Sequence, residues 1–175
     1  MARTAPSPSL AGGPVFAVVD ENRARAAAGI TMAVGAVAFA EANFEHHFVP
    51  IRIVTIVFAV DFLLRVTVGL DRSPVGFVST WIARRRPPEP VSARPKRFAW
   101  TLGLAMSAAM AVITNLGVHG VLPRTICLLC LALMWLESVL GLCLGCEIHG
   151  VLARRGWARS DDGFEVCVGG ACARR

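Results

Sequence analysis

Long apolar runs alternate with short polar stretches along this chain. Residues 26–40, rich in Ala and Gly, follow Arg23 and Arg25 and end in the polar turn Glu41-Ala-Asn-Phe-Glu45-His46-His47. Pro50 opens a second run over residues 51–70. A third covers 98–113 and gives way to Asn115, Gly117, His119, Gly120 and Pro123. A fourth covers 125–152 and stops before Arg154-Arg155-Gly156. About 20 apolar residues in a helix cross the hydrocarbon core of a bilayer. In lipid, backbone polar groups must be satisfied within the spanning structure. The pattern therefore predicts an all-α fold, an integral membrane four-helix bundle. A three-helix arrangement, with the first segment lying on the surface, is the alternative.

Composition sharpens this picture. The chain has 175 residues, 55% hydrophobic and only 17% charged. Its mean hydropathy of +0.58 lies in the membrane class. The length leaves no room for a separate soluble catalytic domain. Residues 1–14 hold Pro, Ser and Gly without an apolar run and make up most of the N-terminal tail over 1–18. They read as a disordered tail rather than a secretory signal. The four-helix transmembrane domain is expected over 19–155, and a cysteine-containing tail over 156–175.

The net charge of +6 invites a nucleic-acid reading, but the placement of the charges excludes it. Fifteen of the 18 basic residues fall in the N-terminal segment, the stretch 71–97 and the C-terminal segment. The opposite turns hold only Arg52 and Arg124, and Arg65 lies within the second run. Lys and Arg collect on the cytoplasmic side of membrane proteins, so both termini and the 71–97 stretch are expected there. Residues 71–97 read as a loop, because Arg86-Pro-Pro-Glu-Pro cannot continue a helix. Among the 18 basic residues only Lys96 is a lysine, and Tyr is absent. The heavy use of Arg and Ala suggests a bacterial chain, and hence the bacterial cytoplasmic membrane.

Several motifs carry a resemblance. They are Ala-Val-Asp61-Phe-Leu-Leu-Arg65, Ser73-Pro74, Pro95-Lys96-Arg97-Phe98-Ala99, Leu136-Glu137-Ser138 and Leu142-Cys143-Leu144-Gly145-Cys146. On them the chain resembles the bacterial membrane family catalogued as domain of unknown function 4395, over about residues 19–152. The resemblance implies a multi-pass membrane protein and no particular activity. It implies thioredoxin-like or rhodanese-like partners only by association. Cys-x-Gly-Cys is the most characteristic element, whereas Cys127, Cys130 and the tail cysteines lie outside the family pattern.

All six cysteines lie near the C-terminus: Cys127, Cys130, Cys143, Cys146, Cys167 and Cys172. Each Cys-x-x-Cys spacing puts two thiols on neighbouring faces of a helix. Cys127 and Cys130 follow Pro123 and fall near a helix N-terminus, which favours a thiolate. On one continuous fourth helix, Cys143 and Cys146 fall about 20 Å further along and near its C-terminus, which opposes a thiolate. The two pairs also point away from each other by roughly 100–160°. Direct exchange between them is excluded, and a relay would need a quinone, a mobile thiol or a partner. Zinc is the other cofactor class these residues admit, with Cys143, Cys146, Cys167, Cys172 and His149 as ligands. The bland alternative is that cysteine simply packs as a small apolar residue.

Charges inside the runs form a second lead. Asp61 and Arg65 are spaced i,i+4 with the acid first, an order that favours an ion pair. Both Asp61 and Glu137 are expected near mid-depth, where ionisable groups are expensive and point to function. Arg65 is expected to tie them together across helices, as a structural clasp or as a proton or substrate site. Glu137 lies seven residues beyond Cys130 on the same face, placed as a proton acceptor for a thiol. The turn bearing His46 and His47 reads as a solvated loop. The preferred function is thiol–disulfide or sulfur-transfer chemistry at Cys143 and Cys146. The alternative is a non-enzymatic membrane protein, a small transporter or complex subunit with structural or metal-binding cysteines.

Overall fold

The computed structural model describes residues 18–118 and 120–157 and is dominated by helices. The first strand, β1 (Val18–Asp20), leads into helix α1 (Glu21–Phe44). The Asp20 side chain caps α1 by accepting the Asn22 N–H at 3.0 Å. Helix α2 (Val49–Thr67) starts with Pro50 in its first turn, where proline is best tolerated. A single 3₁₀ turn (Leu70–Arg72) follows, then helix α3 (Pro74–Ala83). Strand β2 (Pro90–Ser92) pairs antiparallel with β1, with Val19 opposite Val91. Helices α4 (Ala93–Asn115), α5 (Val121–Trp135) and α6 (Leu144–Arg154) complete the chain, with a π-helical turn (Leu136–Leu140) continuing α5.

Among the described residues three helices are long and apolar enough to cross a membrane: Glu21–Phe44, Ala93–Asn115 and Val121–Leu140. Helix α2 is of similar length but carries Arg52, Asp61 and Arg65. It packs mainly against α4, while α1 contacts α2, α3 and α5, and α6 lies on α4. The packing is that of a protein turned inside out. Val37, Ile53, Ile56, Val57, Val60, Val112, Leu128 and Leu129 face outward. Small or polar residues such as Ala24, Ala27, Ala28, Thr31, Thr55 and Ser107 fill the inside. Such a surface suits lipid, and small residues let helices approach closely where no hydrophobic drive pushes them together.

Two clusters anchor the bundle. At the end that carries the β-ribbon, Ala24, Ala27, Phe62, Leu70 and Trp100 pack together. At the other end, Ala38, Ala42 and Ile51 do so.

The expected loop over 71–97 is corrected, because it contains α3 and β2. Ser73 caps α3 by accepting the Gly76 N–H at 2.9 Å, with Pro74 in the first helical turn. That start signal outweighs the polar character of the segment as a whole. Phe77 and Trp81 of α3 are 76% and 65% exposed, which suits a helix lying at a membrane interface. Helix α4 starts before its expected first residue, since Pro95 falls in its first turn and breaks no hydrogen bond there. The reading of residues 1–17 as a tail, and of 158–175 with Cys167 and Cys172, lies outside the described residues.

Candidate functional site

The continuous fourth helix expected over 125–152 is corrected: it breaks in two. The α-helical turns end at Trp135 and widen into the π turn. Gly141 then takes a left-handed conformation with φ 71°. Such a residue commonly ends a helix, and the Leu142 N–H closes it by donating to the Leu136 carbonyl at 3.1 Å. Arg25 reaches across from α1 and donates to the carbonyls of Ser138 and Val139, at 3.3 and 3.0 Å. Its guanidinium thus serves acceptors that the break leaves exposed, at the negative end of the helix dipole.

The chain restarts at Cys143. This residue is the N-cap of α6, and its Sγ accepts the Cys146 N–H at 3.3 Å. Cys143 and Cys146 are joined as a disulfide, with 5.2 Å between their Cα atoms. The expected position near a helix C-terminus is therefore reversed, because the pair lies on the first turn of a new helix. The Gly of Cys-x-Gly-Cys has a steric reason. A Cβ on Gly145 would lie 2.6 Å from the Cβ of Ala99, so only glycine lets α6 seat on α4 at this point.

Beneath the disulfide lies a small pocket whose lining includes Arg65, Glu137, Cys143 and Gly145. Glu137 is close to the chain break and the ribbon end of the bundle, rather than at mid-depth. It shares this pocket with Arg65, the partner expected from the sequence, while its direct ion pair is with Lys96. The Lys96 Nζ lies 3.0 Å from Glu137 Oε1 and 2.9 Å from Glu21 Oε2. All three side chains are buried. One ammonium between two carboxylates joins α1, α4 and the π turn. Asp61 and Arg65 form the expected i,i+4 pair at 2.6 Å, also buried. Asp61 accepts the Val75 N–H at the start of α3, at 3.0 Å, so it too belongs to the ribbon end. Arg65 donates to Thr31 at 3.2 Å and lies over the Phe62 ring.

Sequence reasoning missed Lys96 and Glu21 as site residues. A signal was present, since Lys96 stands as a lysine among seventeen arginines. A compact ammonium with three donors suits a gap between two carboxylates, whereas a planar guanidinium needs more room. Glu21 lies before the expected start of the first run, and nothing local set it apart.

Cys127 and Cys130 are free thiols, half-buried on α5. They line an apolar cavity with Phe58, Phe62, Met106 and Met134, away from the disulfide. The cysteine that shares a pocket with Glu137 is thus Cys143, not Cys130. The His149 ring packs against Phe98 at 5.7 Å between centroids. Among the described residues no group of three His, Cys, Asp or Glu side chains is arranged to hold a metal ion. His47 lies 3.8 Å from Glu41 in the exposed turn.

No curated protein and no solved structure matches the chain. A family model does match, over residues 19–154, which takes in the bundle, the charge cluster and the disulfide. The chain belongs to the family described as domain of unknown function 4395.

Proposed function

We propose that this is a multi-pass protein of the bacterial cytoplasmic membrane that exchanges disulfides with, or passes sulfur to, a cytoplasmic partner through Cys143 and Cys146. In this reading α1, α2, α4 and the α5–π segment all cross the bilayer. Helix α2 is tolerated as a fourth span because Asp61 and Arg65 neutralise each other. Both termini, the β-ribbon and α6 then face the cytoplasm, as the distribution of Arg and Lys supports. The observation that carries the proposal is the disulfide at the N-terminus of α6, capped by one of its own sulfurs.

The chemistry follows from access. Cys143 is buried, at 6% exposure, while Cys146 is half-buried. A partner thiolate attacks the Cys146 Sγ, forming a mixed disulfide and releasing Cys143 as a thiolate. The first turn of α6 holds that charge with its N–H groups. A second thiolate of the partner then attacks its own sulfur in the mixed disulfide. The partner leaves oxidised, and Cys146 leaves as a thiolate. Two electrons have passed to the pair, and the two protons shed by the partner's thiols balance the two new thiolates. Glu137, in the same pocket as Cys143, is placed to hand on the proton that Cys143 takes up or gives back. A thioredoxin-like dithiol suits the exchange. In the sulfur-transfer variant the reduced Cys146 thiolate takes the outer sulfur of a rhodanese-like persulfide, whose own cysteine leaves as a thiolate. Passing that sulfur on to a partner thiolate is the same step in reverse.

The test is to count thiols by mass-tag alkylation in native membranes under oxidising and reducing conditions. Two tags that appear on reduction in the wild type, and are lost in Cys143→Ser/Cys146→Ser, support the reading. Tag counts that never change with redox conditions overturn it and leave the non-enzymatic alternative.

A further inference from the structure

The end of the bundle opposite the ribbon holds a cavity that disulfide exchange does not use. Arg52 of α2 and Arg124 of α5 line it, together with Asn43, Thr114 and Cys127. Among the described residues neither arginine has an ion-pair partner, and the Arg52 Nε is buried with no hydrogen-bond acceptor. Glu41, at the same end, is engaged by His47 and does not line the cavity. The starts of both α2 and α5 also border it. Unlike α1 and α3, neither has a side-chain cap or an acidic residue in its first turn. Two guanidiniums and two helix N-termini make one positive site, and among the described residues no carboxylate lines it.

A second, apolar cavity adjoins this one. Ile51, Met110 and Cys127 also line the second cavity, which runs into the bundle past Phe58, Met106 and Leu131. Phe62 and Met134 form its far end, against the pocket beneath Cys143. From Arg124 to Met134 the path along α5 is about 15 Å.

We propose that the two cavities together bind an anionic amphiphile with a single hydrocarbon chain, drawn from the bilayer. Its carboxylate or phosphate head is held by Arg52 and Arg124, and its chain lies beyond Cys127 in the apolar cavity. A bare anion leaves the apolar cavity empty, and an uncharged chain leaves the buried Arg52 Nε without an acceptor. Only a molecule with both parts meets both demands. The site is independent of the disulfide chemistry at the other end.

Cys127 lines both cavities, so its alkylation rate reports occupancy. The experiment uses the full chain in nanodiscs of neutral phosphatidylcholine, with Cys127 labelling followed by peptide mass spectrometry. Decanoate and decyl phosphate are expected to slow labelling several-fold in the wild type. Arg52→Gln/Arg124→Gln is expected to need about tenfold more of either probe for the same protection. Arg52→Lys/Arg124→Lys, which keeps the charge, is expected to retain most of the protection. The proposal fails if decanol protects as well as decanoate, since the arginines then play no part. It also fails if inorganic phosphate alone protects, since the chain then plays no part. A photoactivatable fatty acid gives a readout that does not depend on thiol access. Its crosslinks must fall on α2, α4 and α5 around the cavity, and crosslinks spread over the lipid-facing surface overturn the assignment.

Discussion

Gly145 of α6 meets Ala99 of α4 so closely that a Cβ would come within 2.7 Å of the Ala99 Cα. The smallest substitution at this point forces the two helices apart. Gly145→Ala is expected to lower stability by about 1–3 kcal/mol. It should also expose Cys143 as α6 lifts. Thermal unfolding of the purified protein, together with the alkylation rate of the reduced Cys143, measures both effects. An unchanged melting temperature with an unchanged rate contradicts the close seating of α6.

Lys96 is the second point of leverage, because it neutralises two buried carboxylates at once. Lys96→Met leaves both without a cation, and breaking a buried pair in this way costs about 3–5 kcal/mol. Adding Glu21→Gln and Glu137→Gln to Lys96→Met removes the orphaned charges and should restore much of the loss. Unfolding of the single and triple variants in the same detergent decides the matter. A triple variant no more stable than Lys96→Met contradicts an electrostatic role for the cluster.

Gly141 sets where the helix breaks. Its left-handed backbone is costly for any residue with a side chain, by about 1–2 kcal/mol, and a Cβ there also meets the Arg25 guanidinium at 3.3 Å. Gly141→Val should therefore favour continuing the helix through Cys143, which removes the cap on Cys146. The expected readout is a disulfide that forms more slowly on oxidation than in the wild type. Equal oxidation rates count against the break as the device that prepares the pair.

Burial distinguishes the two sulfurs of the disulfide. In Cys143→Ser the remaining Cys146 should alkylate several-fold faster than Cys143 does in Cys146→Ser, as its greater exposure requires. Rates measured in the reduced single variants with one small reagent provide the comparison, and the reverse order contradicts Cys146 as the attacked sulfur.

The apolar runs showed where the long helices lie, because length and hydropathy are additive along the chain. The Asp61–Arg65 pair was also legible, since its partners sit one helical turn apart. What stayed hidden depends on pairs far apart in sequence. Glu21 and Lys96 are 75 residues apart, and no local pattern connects them. The break at Gly141 was hidden for a different reason. Glycine among leucines in a membrane helix reads equally well as a packing notch, and only the Arg25 contact and the restart at Cys143 separate the two cases. Helix α3 was overlooked because its surroundings are basic and Pro-rich, although Ser73-Pro74 is an ordinary helix start.

The ion bridge also places assembly on a clock. Glu21 leaves the ribosome 75 residues before Lys96, and Glu137 follows 41 residues after Lys96. At 5–20 residues per second, Glu21 waits about 4–15 s for its cation, and the bridge stays incomplete for about 2–8 s more. During that interval α1 carries an acid whose native partner does not yet exist. The bridge between α1, α4 and the π turn can therefore close only after the last long helix has been made.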